Sequence, residues 1–257
     1  MEEKILIRKK EKQFIKELGK EVITTKETKY YVKNSKKDIH TKYGKIKKED
    51  LETNGTVKSD TGKAFLIYPA SFADRLKELR RLPQSPMLKD MALILAETGI
   101  TKDSTIVEAG TGSAILTIFL AKHCKRVVSY EIREDHIKQA KQNIEEMKQE
   151  NIVIKQKNIE EGIEETNVDA VILDLPEPWK VIETAKKAVK SGGSIVTYLP
   201  STQQLLELIK EVKKHEEIIM EKTTETIERV WKTEEKSIRP LEFTTAHSAF
   251  ITFMRAA

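Results

Sequence analysis

The chain has 257 residues, enough for one full hydrophobic core and a small second domain, and 34% of them are charged. Its longest unbroken apolar stretch, Met91–Ala96, is far short of the roughly 20 residues that span a bilayer, and Met1-Glu2-Glu3-Lys4 carries no apolar leader. A cytoplasmic protein with no membrane partner is expected. The single cysteine, Cys124, excludes an intramolecular disulfide and a thiolate metal cluster; it reads as a buried structural thiol, and no metal is expected.

The formal net charge is +5, and Lys and Glu dominate the charged set, as in thermophilic proteins. Residues 1–60 hold 17 Lys plus Arg against 11 Asp plus Glu, a net of +6, which leaves −1 for residues 61–257 (29 against 30). The excess positive charge therefore lies in the N-terminal segment, as suits contact with a polyanion or a solvated Lys-rich surface.

In chain order, Glu21–Val32 and the region around Lys45–Lys63 carry short β-branched and aromatic runs between turn signals such as Asn54-Gly55 and Thr61-Gly62. They predict a small, basic, β-rich domain over residues 1–70. Phe72–Leu79 reads as a short helix, Pro83 and Pro86 break the chain, and a helix runs from Met87 to Thr98.

From Thr101 on, strands at Thr105–Ala109, Arg126–Glu131, Ile152–Gln156, Ala170–Asp174 and Ser194–Leu199 alternate with helices. The helices are expected at Ala114–Lys122, Glu134–Glu150, Trp179–Val189 and Thr202–Lys214. Such alternation predicts an α/β, Rossmann-like doubly wound parallel sheet over residues 71–257. Two final strands, Ile218–Thr226 and Ala246–Met254, have no helix between them and predict an antiparallel hairpin at one edge, the class I methyltransferase arrangement.

Glu108-Ala109-Gly110-Thr111-Gly112-Ser113-Ala114 falls where the first strand of that sheet turns into a helix, so backbone and helix-start N–H groups can approach a ligand there. Glu131 ends the second strand, where a carboxylate can take both hydroxyls of an adenosine ribose. Ile115 stands at the third glycine position of the dinucleotide pattern, whereas Glu108, two residues before Gly110, fits the E/D-x-G-x-G pattern of methyltransferases. S-adenosylmethionine is therefore preferred to a dinucleotide. Asn158, after the third strand, is placed to meet the adenine amino group or to serve as a turn residue.

Asp174-Leu175-Pro176-Glu177-Pro178-Trp179 follows the fourth strand, and two prolines in three residues stiffen it. Asp174 is the expected catalytic group. If the substrate is adenine, its N1 already has a lone pair, and a carboxylate on the N6 amine would orient the ring and stabilise the charge that methylation creates. Trp179 suits either base stacking or packing at a helix start.

With this segment the chain resembles the archaeal and bacterial tRNA adenine-N1 methyltransferases that modify the T-loop. The resemblance spans Tyr30–Lys33 and His40–Gly44, then Arg80-Arg81 through Gln84 and Lys89-Asp90. It continues with Glu108–Thr117, Tyr130-Glu131, the D-L-P-x-P-W stretch Asp174–Trp179, Arg239-Pro240 and His247. It implies a homotetramer, a dimer of dimers, that methylates adenosine 58 of tRNA, and in some archaeal members also 57, with no DNA partner. It also implies that Gln84, Gly110, Gly112, Ser113, Glu131, Asn158 and Asp174 line the cofactor pocket, with Asp174 facing the base as well. Arg80, Arg81, Lys89, Trp179 and His247 are the RNA-side candidates; His247 equally suits a hydrogen-bonded structural role. The chain departs from the family pattern at Met87 and Leu88, where Tyr-Pro is usual. It departs again at Ala114 for glycine, Asn158 for aspartate, and Ala246 for the glycine before His247. The competing readings are a class I methyltransferase acting on a small molecule or protein, and a non-catalytic tRNA-binding subunit.

Overall fold

The computed structural model describes residues 3–83, 85–234, 237–242 and 247–257. The chain forms two compact units, residues 1–79 and 80–257.

The first unit holds β1 (Lys4–Arg8), β2 (Glu11–Ile15), β3 (Lys20–Thr25), β4 (Thr28–Val32), β5 (Ile39–Thr41) and β6 (Gly44–Ile46). It continues with α1 (Lys48–Leu51), β7 (Gly55–Lys58), β8 (Ala64–Pro69) and α2 (Phe72–Glu78). Four strands make an antiparallel sheet in the order β4-β1-β8-β7, while β2–β3 and β5–β6 are separate two-stranded ribbons. Leu6, Val32, Ile46, Leu51, Val57, Phe65 and Ile67 form the core. Helix α2 belongs to this unit, and Ser71 opens it with a capping box closed by Asp74, which satisfies N–H groups the first turn leaves unpaired.

The second unit runs α3 (Leu88–Thr98), β9 (Thr105–Ala109), α4 (Ile115–Ala121), β10 (Arg126–Glu131), α5 (Glu134–Met147), β11 (Ile152–Gln156) and β12 (Val168–Leu173). There follow α6 (Ile182–Ala188), β13 (Val189–Leu199), α7 (Thr202–Val212), β14 (Ile218–Thr224), β15 (Trp231–Glu234), β16 (Ser237–Pro240) and β17 (Phe250–Ala256). Its seven-stranded sheet has the order β11-β10-β9-β12-β13-β17-β14, parallel except for β17, which runs antiparallel to both neighbours. The apolar runs of the central strands, such as Ala170–Leu173, are fully buried, as expected of strands covered by helices on both faces.

The expected doubly wound sheet with its antiparallel pair is present, with β14 at the edge and β17 inserted beside β13. Two expected elements are cut short by side-chain chemistry. The strand expected over Ile218–Thr226 ends at Thr224, because Glu225 and Thr226 hydrogen-bond His247 and Asp90. The strand expected from Ala246 begins only at Phe250: His247 and Ser248 are likewise engaged, and Ala246 lies outside the described residues. The helix expected over Trp179–Val189 opens as a 3₁₀ turn, Pro178–Val181, before α6. The ribbon β15–β16 was not anticipated.

Candidate active site at the sheet switch point

Strands β9 and β12 are adjacent, and the chain leaves their carboxyl ends in opposite directions across the sheet, the place where doubly wound folds bind ligands. The loops that follow are tied together through their backbones. Asp174 N donates to Ala109 O (2.5 Å), and Gly110 N donates to Asp174 O (3.1 Å). The turn needs left-handed backbone at Gly112 (φ +53°), and again at Ala114 (φ 60°), where an alanine costs on the order of 1 kcal/mol relative to glycine.

Glu131, at the end of β10, is buried and pinned. One carboxylate oxygen accepts from Ile132 N (2.9 Å) and Arg133 N (3.0 Å), the other from Gly112 N (3.0 Å), with His136 Nδ1 3.3 Å away. The acid therefore stands against the glycine loop in a fixed orientation. Glu108 is also buried, and one of its oxygens accepts from Thr117 Oγ1 and Ser129 Oγ, both at 2.6 Å. Burial pushes its carboxyl up to about 8 against those two donors. Glu108 thus joins β9 to α4 and β10, and shapes the recess it lines.

Asp174 differs from both. Its carboxyl accepts no hydrogen bond from the described residues, and burial raises it to about 7. Three contiguous recesses meet at Leu175 and Pro176. The first, about 210 Å³, lies between Tyr130, Glu131, Asn158 and Ile159. The second, about 370 Å³, follows the glycine loop from Gly110 to Ser113 and shares Glu131 with the first. The third, about 530 Å³, is walled by Met87, Tyr198, Pro200, Gln204 and Ser248. Asp174 stands on the wall between the last two.

Gly110, Gly112, Ser113, Glu108, Glu131, Asn158 and Asp174 are thus gathered at one sheet edge, while Gln84 lies outside the described residues. Asn158 serves as a turn residue, its Oδ1 accepting from Glu160 N (3.0 Å), and also lines the first recess. Among the RNA-side candidates, Arg80 and Arg81 are exposed. Lys89 is a correction. Its side chain is only 11% exposed, and its ammonium donates to Asp90 Oδ1 (2.8 Å), Thr226 O (2.8 Å), Thr226 Oγ1 (2.8 Å) and Ser248 Oγ (2.6 Å). An ammonium has three protons, so none remains for a phosphate. Trp179 is half-buried in the 3₁₀ turn and lines none of the three recesses, which favours packing. His247 donates from Nδ1 to Glu225 (2.7 Å) and from Nε2 to the Pro200 carbonyl (3.0 Å). Two acceptors require a doubly protonated ring, and these bonds raise its pKa. The sequence reading missed Tyr198, whose signal was a tyrosine near the end of an apolar strand at the ligand-binding edge, and His136.

A structure described as a SAM-dependent O-methyltransferase from Thermotoga maritima superposes with a TM-score of 0.83 at 26% identity, over 99% of this chain and 92% of that one. The tRNA (m1A58) methyltransferase TrmI of Aquifex aeolicus has the same fold, with a TM-score of 0.79 at 21% identity over 99% and 96% of the two chains. Fold and site together define a class I, S-adenosylmethionine-dependent methyltransferase. In sequence, the chain is 33% identical to the tRNA (adenine(57)-N(1)/adenine(58)-N(1))-methyltransferase TrmI of Methanocaldococcus jannaschii, over 88% of this chain and 90% of that protein. It is 32% identical to the tRNA (adenine(58)-N(1))-methyltransferase TrmI of Thermus thermophilus, over 78% and 80%. Residues 79–255 match the family model described as tRNA methyltransferase complex GCD14 subunit, and the chain belongs to that family.

Proposed function

We propose that the chain transfers a methyl group from S-adenosylmethionine to N1 of adenosine 58 in the T-loop of tRNA and, as in the archaeal relative's name, of adenosine 57. The observation that carries this reading is the junction of the recesses at Asp174: a carboxyl without a partner among the described residues lines the glycine-loop recess on one side and the largest of the three recesses on the other.

The residues present fit the donor. Asn158 and Ile159 suit its adenine, since the Asn158 carbonyl keeps a second lone pair for an amine. Glu131 suits the ribose diol, and the backbone at Gly110 and Gly112, with Ser113, suits the amino-acid end; Gln84 completes the proposed set. When bound, the donor supplies a sulfonium methyl that N1 takes with its own lone pair, the carbon–sulfur electron pair staying on sulfur as a neutral thioether. Asp174 aligns the acceptor ring by accepting from its N6 amine. The carboxyl is held near 7 by burial, and positive charge brought beside it favours the carboxylate that the cationic ring requires. The Leu175–Pro176 corner, common to all three recesses, keeps that carboxylate in one place.

Adenosine 58 lies inside the tRNA elbow, so the base has to be extruded to reach the recess. The +6 charge of residues 1–60 and the exposed Arg80 and Arg81 support phosphate binding. Assembly into a homotetramer belongs to the same proposal. Phe14, Leu18 and Ile23 on or beside β2–β3, and Val230, Trp231, Ile238 and Leu241 on or beside β15–β16, are exposed on ribbons that join no larger sheet. No helix among the described residues is long and apolar enough to cross a membrane, and a tRNA substrate supports a cytoplasmic location.

An oxygen acceptor, the chemistry in the Thermotoga protein's description, is the second reading. Incubating unmodified tRNA with methyl-labelled donor and mapping the product nucleoside decides between them. 1-Methyladenosine at 58 or 57 supports the proposal; an O-methylated product, or no transfer to tRNA, overturns it.

A further inference from the structure

A buried polar cluster stands behind the largest recess. Asp90, in the first turn of α3, is fully buried, and its Oδ2 accepts from Tyr198 Oη at 2.9 Å. Its Oδ1 accepts from Lys89 Nζ (2.8 Å) and from Thr226 Oγ1. Burial would raise this acid, yet the hydrogen bonds from Lys89, Thr226 and Tyr198 hold it below its ordinary value, so it is a carboxylate. Tyr198 lies on β13, is 6% exposed and lines the recess opposite Met87. Burial and the neighbouring Asp90 push its phenol up against a hydrogen bond with Ser248, so the proton stays on Tyr198 and is donated to Asp90, and the oxygen keeps one lone pair beyond the Ser248 bond.

A phenol has one proton. Because that proton is committed to Asp90, whatever meets the Tyr198 oxygen from the recess meets a hydrogen-bond acceptor. Asp174, on the same wall, is another. We propose that Asp90 is a positioning residue that fixes Tyr198 as an acceptor, so that Tyr198 and Asp174 together select a base whose exocyclic group is an N–H donor beside the reacting ring nitrogen. Adenine carries a two-proton amine there. Guanine presents a carbonyl oxygen, which two acceptors repel. The inference rests on the adenine-N1 reading above and adds how the recess recognises the base. Lys89 completes the device by balancing the Asp90 charge, which lets Asp90 remain an acceptor while buried.

The test compares single-turnover methylation of unmodified tRNA carrying adenosine at the target position with tRNA carrying purine riboside, which lacks the amine. Wild type should prefer adenosine. Tyr198→Phe, which leaves Asp90 and Lys89 in place, should shrink that preference by about 3- to 10-fold, the range for one neutral hydrogen bond, with donor affinity unchanged. Asp90→Asn, whose amide can donate to the phenol and reverse the bond, should shrink it similarly. The double variant should lose no more than Tyr198→Phe alone. A preference unaltered in Tyr198→Phe overturns the proposal even where Asp90→Asn does not fold, and so do additive losses in the double variant. Failure of wild type to methylate adenosine at N1 overturns the underlying functional reading instead.

Discussion

Replacing Asp174 by asparagine should make the free protein more stable while removing most of its turnover. The carboxyl stands near 7 instead of its ordinary 3.8, because burial disfavours the ion and no described residue donates to it. A difference of that size corresponds to on the order of 4 kcal/mol against the ionised form. The sign follows from proton counting. Between about pH 4 and pH 7 the folded chain holds a proton that the unfolded chain has lost, so the Asp174 contribution to stability falls as pH rises and levels off above 7. Asparagine carries no such dependence. The stability gain of Asp174→Asn should therefore be about 2–3 kcal/mol larger at pH 8 than at pH 5, read from denaturant unfolding of both proteins without donor. Glu108 titrates in the same range and is raised in part by the Asp174 charge, so the comparison is made in a Glu108→Gln background, which isolates position 174. Activity runs the other way: kcat/KM should rise with pH through about 7 as the carboxylate forms, and the variant, which lacks it, should be at least about 100-fold slower at pH 8, with a gap that narrows as pH falls. A pH-independent stability difference would falsify the assignment of an unpartnered buried acid, and unchanged turnover would remove Asp174 from the reaction.

Glu131→Gln should weaken S-adenosylmethionine binding by about 10- to 100-fold in calorimetry, since bonds from the ribose diol to a charged acceptor are lost; equal affinity would remove the ribose role. Lys89→Ala should destabilise the fold by about 3–5 kcal/mol, because the buried Asp90 loses its cation, without changing how tRNA affinity depends on salt. Arg80→Ala with Arg81→Ala should instead reduce the slope of log affinity against log salt by about 1 to 2; an unchanged slope takes both out of the phosphate footprint. Cys124 is buried, and its thiol is pushed up to about 11. It should resist iodoacetamide at pH 8 until the chain unfolds, as mass spectrometry would show.

Where a strand is an apolar run bounded by clear breaks, its limits were legible to the residue: Thr105–Ala109, Arg126–Glu131 and Ile152–Gln156 stand as expected. Periodicity failed where polar side chains cross between elements. Nothing local to Glu225-Thr226 or His247-Ser248 announces that these residues pair with one another, with Pro200 and with Lys89. The ribbon β15–β16 escaped notice for a different reason: Lys232, Glu234 and Arg239 interrupt its few apolar residues, and no buried face enforces alternation. The acids on strand ends could be found from motif spacing, but Asp90 and Tyr198 are 108 residues apart in sequence and become partners only because α3 packs against the sheet at β17, the neighbour of β13. Lys89 misled for the same reason, since its neighbour in sequence is also the acid it neutralises inside the fold.

Glu108 and Asp174 show what separates a structural acid from a reactive one at the same sheet edge. Glu108 is buried and Asp174 half-buried, desolvation raises both carboxyls, and both line the glycine-loop recess, so titration does not distinguish them. Their partners do. Thr117 and Ser129 give Glu108 two hydroxyl donors on a single oxygen, and removing either would leave a buried acceptor unpaired at a cost of about 1–3 kcal/mol. Asp174 has no such support among the described residues, so its desolvation is met there by no compensating bond. That cost is recovered only when a donor or a cation enters the recess, which ties the acid's stability to ligand binding. In the proposed reaction, a carboxyl arranged in this way would strengthen its interactions as positive charge develops on the acceptor ring, and that difference between ground state and transition state would accelerate the transfer.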